Sequence, residues 1–196
     1  MRRRLLSMMF LFVLVSGAVA RLQLGVQGMP GVRIRSRSVA DYLASQRILL
    51  SNFCRLDYEG ARLQATGWNR FKPFTSLRAN PGFERVVVVT RFDIESVEQP
   101  SAAVRVNYKA VGYYDFNDGY IPALANDMVI FRTQEQNDDL VIAEISPASP
   151  HVSPRTALEW VTARMNDTDT TEVERAHLKD AITELSKLVP KAKAAQ

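Results

Sequence analysis

The chain has one cysteine, Cys54, and two histidines, His151 and His177, among its 196 residues. A lone thiol cannot build an internal disulfide framework, so stability has to come from a packed core. So few soft or imidazole ligands also argue against a transition-metal site, and no metal or cofactor is expected. The sequence lacks a Gly-x-Ser-x-Gly nucleophile elbow, a phosphate-cradling glycine loop and a dinucleotide fingerprint. Those absences remove elbow-type hydrolases, P-loop enzymes and nicotinamide enzymes. After residue 20 no apolar run approaches the roughly 20 residues that a membrane helix needs.

Net charge is scarce where it matters. The formal charge is +4, but Arg2, Arg3 and Arg4 supply three of the 25 basic residues, leaving 22 against 21 acidic ones. Those arginines precede an apolar run from Leu5 to Val15, a break at Gly17 and the small residues of Ala18-Val19-Ala20. This is the three-part pattern of a cleavable secretory signal. Residues 1–20 are therefore expected to be removed on export to a periplasm or the exterior, leaving a chain that starts near Arg21. The remaining balance, near +1, gives no support to nucleic-acid binding.

Residues 21–37 read as a tether, broken by Gly25, Gly28, Pro30 and Gly31 and solvated by Arg33, Arg35 and Arg37. Ser38 with Asp41 suggests a helix cap. Val39, Tyr42, Leu43, Leu49, Leu50, Phe53 and Cys54 then predict a helix over about 39–56, with Cys54 buried. The period changes at Arg85. Strands are predicted over 85–97, 102–116, 127–134 and 140–145, the last two joined by a hairpin at Gln136-Asn137-Asp138-Asp139. In the second strand Val104, Val106, Tyr108, Ala110, Gly112, Tyr114 and Phe116 share one parity, the mark of a half-buried antiparallel strand. Ser153-Pro154 opens a helix, and a second amphipathic helix runs from Val173 to Leu188. The predicted class is α+β: a long N-terminal helix on a strongly curved antiparallel sheet of at least four strands, with a C-terminal helical hairpin over 151–196.

Asp57-Tyr58-Glu59-Gly60 follows the long helix. Gly67-Trp68, Phe71 and Pro73 come next, and the strands end in Ile142-Ala143-Glu144-Ile145-Ser146-Pro147. Over about residues 38–150 this layout resembles the NTF2-like superfamily of cone-shaped α+β domains. The resemblance implies a cone between helix and sheet. The family includes ketosteroid isomerases, dehydratases, transport adaptors and ligand-binding domains, so the fold does not select a function.

Trp68, Arg91, Asp93, Tyr108 and Tyr114 are the candidate ligand-binding residues, with no catalytic residue assigned. Arg91 and Arg105 would clamp an anion if they shared a face. His151, in a proline-stiffened link, is expected at the surface or at a hinge. Asp115-Phe116-Asn117-Asp118-Gly119 departs from a calcium loop and reads as a tight turn. Three readings stay open. The leading one is a non-catalytic exported domain binding a small hydrophobic ligand or an envelope protein through the cone. The others are a proton-transfer or dehydration enzyme and a cell-envelope assembly protein. The C-terminal hairpin is expected to cover a sheet edge or to mediate a homodimer.

Overall fold

The computed structural model describes residues 32–33, 38–96 and 102–189. The expected signal segment, all of the expected tether except Val32 and Arg33, and the Gln99-Pro100-Ser101 connection lie outside them. The protein is α+β: a helix, a strongly curled mixed sheet and two C-terminal helices. The elements are β1 (Val32–Arg33), α1 (Val39–Tyr58), three short 3-10 turns, β2 (Arg85–Ile94), β3 (Ala103–Asp115), β4 (Gly119–Gln136), β5 (Asp139–Ser146), β6 (His151–Val152), α2 (Pro154–Met165) and α3 (Glu172–Leu188).

Ser38 caps α1 by accepting from the Asp41 N–H at 3.2 Å, which satisfies one of the first-turn donors. Leu49, Leu50, Phe53, Cys54 and Leu56 form its buried face. Just past the Glu59 C-cap, Gly60 has a φ of 80°, in the left-handed region. A Cβ there would also lie 2.2 Å from Thr156 Cγ2 on α2. The three turns, at Ala61–Leu63, Gly67–Arg70 and Lys72–Phe74, deliver Trp68, Phe71 and Phe74 to the core.

The sheet order is β1-β5-β4-β3-β2-β6. Strands β2 to β5 form an antiparallel meander, and β6 adds a parallel strand against Val87 and Val88. The β4–β5 turn places Asn137 and Asp138 at φ 52° and 66°, the positive values that a two-residue hairpin turn demands. Strand β4 runs eight residues further towards the N-terminus than the sequence pattern indicates. Pro122 and the irregular stretch to Asn126 conceal the alternation there.

Two cores flank the sheet. The first lies between α1 and one face and includes Phe53, Phe71, Val87, Val89, Tyr108 and Phe131. The second lies under α2 and α3 and includes Val86, Val88, Tyr114, Val161, Leu178 and Leu185. One bulge explains how a single parity of β3 stays buried throughout. Val88 pairs with Gly112 and the next residue, Val89, pairs with Ala110, so Val111 is an extra residue. An extra residue reverses the facing of everything beyond it. Tyr108 and Ala110 therefore meet α1, whereas Tyr114, at the same parity, meets Trp160 of α2 with ring centroids 5.4 Å apart. A second bulge at Thr90, between the Val89–Ala110 and Arg91–Lys109 pairs, turns Phe92 and Ile94 back towards the first core. The C-terminal hairpin thus covers a sheet face. Its first residues, His151 and Val152, complete one end of the sheet.

Candidate functional site

The wedge between α1 and the sheet is closed at its centre by ionisable and aromatic side chains. Asp57 sits in the last turn of α1, where it continues the apolar stripe of Leu50, Phe53 and Cys54. It is 2% exposed. Its Oδ2 accepts from the His151 backbone N–H at 3.1 Å and lies 3.6 Å from Arg62 Nη1. Its Oδ1 has no hydrogen-bond partner among the described residues. Burial pushes the Asp57 carboxyl above the usual range, against the opposing pull of Arg62 and His151. Arg62 is itself fixed from three sides. Its Nε donates to Asn80 Oδ1 at 3.0 Å, its Nη2 donates to the Ala148 carbonyl, and its guanidinium lies over the Phe83 ring.

His151 is 1% exposed, which corrects the expectation of a surface or hinge position. The short parallel pairing of β6 with β2 draws it under the sheet end. Its Nε2 is 2.8 Å from Asp127 Oδ2 on β4. Its ring stacks on Tyr108 with centroids 4.0 Å apart and planes 25° from parallel. The hydrogen bond from His151 holds the Asp127 carboxyl below the usual range, against partial burial. The Tyr108 hydroxyl donates to Cys54 Sγ at 3.1 Å. Burial pushes the Cys54 thiol up to about 12 and raises Tyr108 well above an ordinary phenol.

A His–Asp pair can move a proton, but here one face of the imidazole is sealed by Tyr108 and Nε2 is held by Asp127. Among the described residues, no group of three or more His, Cys, Asp and Glu side chains is placed to hold a metal ion. No described helix is long and apolar enough to cross a membrane.

The five candidate binding residues are not gathered in one cavity. Trp68 stacks on Phe71 at 5.1 Å in the first core. Tyr108 belongs to the cluster just described, and Tyr114 is in the second core on the other side of the sheet. Arg91 and Asp93 are exposed and lie 3.6 Å from each other. Arg91 and Arg105 share the exposed face but form no clamp: Arg91 pairs across the ladder with Lys109, four positions from Arg105, and Arg105 is 3.8 Å from Glu95. The turn at Asp115 is an Asx turn, with Asp115 Oδ1 accepting from the Asn117 N–H at 2.8 Å.

One depression, about 410 Å³, lies between the β3–β4 turn and the C-terminal helices, lined by Phe116, Arg164, Val173 and His177 among others; two more lie along α1. A depression of about 220 Å³ at the wedge mouth is lined by Leu43, Leu50, Ile94, Val104, Arg47 and Glu95, among others. A wider one of about 370 Å³ adjoins it, sharing Arg47 and Ile94, and is lined also by Ile48, Ser51, Phe92 and Asp93. Sequence reasoning missed Asp57, Asp127 and the groove. The available signal was Asp57 itself, an acid standing where the helical stripe calls for an apolar residue.

Comparison with known proteins finds no matching family model, no similar curated protein and no matching solved structure.

Proposed function

We propose that the protein is an exported, non-catalytic binding domain of NTF2-like descent, and that its partner is a protein segment docked along the α1–β2 groove. The observation that supports this is the filling of the wedge. Phe53, Phe71, Tyr108 and Phe131 are at most 1% exposed, and the acids beside them are engaged by His151 and Arg62. A substrate would have to displace a close-packed interior, which is costly. Beside an open depression of about 370 Å³, at the low end of the roughly 300–1,000 Å³ of ordinary small-molecule pockets, the wedge mouth itself, about 220 Å³, falls below that range. It suits one apolar side chain of a protein partner, with Arg47 and Glu95 at its rim.

Two experiments test the reading. A photo-crosslinking residue is placed at Leu43, at Ile48 and, as a control on the far side, at Asp118. Adducts at Leu43 and Ile48 that vanish with Ile94→Arg support the groove; equal labelling at Asp118, or none at any position, overturns it. For export, the mass of the recovered protein should correspond to a start near Arg21, and a chain retaining residues 1–20 rejects that part.

A further inference from the structure

The same groove borders an unpaired strand edge. Strand β6 pairs only with Val87 and Val88. Among the described residues, no strand pairs with Thr90–Ile94 on the side away from β3. The hydrogen-bond phase of that edge can be read directly. The Glu95 N–H donates inward to the Arg105 carbonyl at 2.9 Å. Alternation then turns the backbone groups of Ile94 and Phe92 outward, as far as the bulge at Thr90. At the bulge itself the Thr90 carbonyl accepts from the Tyr58 hydroxyl at 3.4 Å.

We infer that a second copy of this chain adds to this edge, antiparallel and two-fold symmetric about Phe92. The inference rests on the proposed protein-binding groove and names its occupant. Two features of the edge agree on that register. Phe92 has its N–H and C=O outward, so it can exchange two hydrogen bonds with Phe92 of the other copy. Arg91 then faces Asp93 of the other copy, and Asp93 faces Arg91, in the close non-hydrogen-bonded positions. In the single chain these two side chains are 69% and 72% exposed and, among the described residues, are ion-paired to each other.

The apolar side agrees as well. Phe92 and Ile94 pack at the border of the first core, and Ile48 is 53% exposed on α1 beside them. Pairing sets both copies' Phe92, Ile94 and Ile48 side by side and covers the wider depression. Burial and backbone bonds supply the attraction. The charges select the register, because a one-residue slip places Arg91 and Asp93 opposite uncharged neighbours and a two-residue slip places Arg91 opposite Arg91 or Asp93 opposite Asp93. An isologous contact of this kind closes at two copies, which prevents the edge from propagating.

Charge reversal tests it by sedimentation across the micromolar to millimolar range, using the chain expressed with its own N-terminus. The wild type should dimerise. Arg91→Asp alone, or Asp93→Arg alone, sets like charges opposite each other twice and should weaken association by about tenfold or more. Mixing the two single variants should restore the dimer as a heterodimer, because every facing pair becomes opposite in sign. A wild type that stays monomeric throughout overturns the inference, as does a mixture that associates no better than its parts. Either result leaves crosslinking at Leu43 and Ile48 to a different protein intact, so the two proposals fail separately.

Discussion

The ring of His151 lies on the ring of Tyr108, centroids 4.0 Å apart, and its Nε2 meets Asp127 at 2.8 Å. One side chain thus ties β6 to β3 and β4. His151→Ala should cost about 2–4 kcal/mol, through a cavity and an unpaired carboxylate. His151→Phe keeps the stack and should cost less. Urea unfolding checks both, and an unchanged midpoint for the alanine variant would show that the ring is not structural.

Two acids should tilt stability in opposite directions with pH. Asp127 is held below the usual range. Its contribution is complete above about pH 4 and disappears as the pH falls through the lowered native value. Asp57 is raised. Its contribution is complete below about pH 4 and is lost as the pH rises through the raised native value. Asp127→Asn should flatten the acid limb of the stability curve, and Asp57→Asn should flatten the decline at higher pH. Unfolding midpoints measured between about pH 2.5 and 8 separate the two slopes.

Cys54 should be silent towards thiol reagents while the protein is folded, since the thiol is fully buried and its pKa is pushed up to about 12. Labelling in dilute denaturant should track global unfolding. Cys54→Ala strands the buried Tyr108 hydroxyl and should cost about 1–3 kcal/mol. Cys54→Ser, which keeps an acceptor, should cost less.

Gly112 is needed for space. A Cβ there would lie 2.3 Å from the Tyr120 hydroxyl oxygen and 2.5 Å from its Cζ. Gly112→Ala should cost about 1–3 kcal/mol by overpacking. In the Tyr120→Ala background the same change should cost far less. A double-mutant cycle reads that coupling, and additive losses would place the cause elsewhere.

The long helix, the central strands and the Asn137-Asp138 turn were legible because their apolar residues keep a period and their turn residues have few alternatives. What stayed hidden arises from register and tertiary pairing. The parity of Tyr108 and Tyr114 is plain in the sequence. Nothing local announces that Val111 is an extra residue, so the two tyrosines read as neighbours on one face. His151 stands among Pro147, Pro150 and Pro154, which reads as a link. Its burial comes from a two-residue parallel pairing too short to leave a pattern. Arg91 and Asp93 stood among the candidate ligand-binding residues, but their relation to an open edge needs the hydrogen-bond phase of β2.

The bulge at Val111 also bears on how the molecule comes apart. A strand whose halves serve different layers leaves no seam between those layers. Loosening the C-terminal helices frees Tyr114 and the register of Gly112, and that slack passes along the same backbone to Tyr108, His151 and Cys54. Amide exchange should therefore protect Val106 and Tyr114 to the same depth, with both opening in one cooperative event.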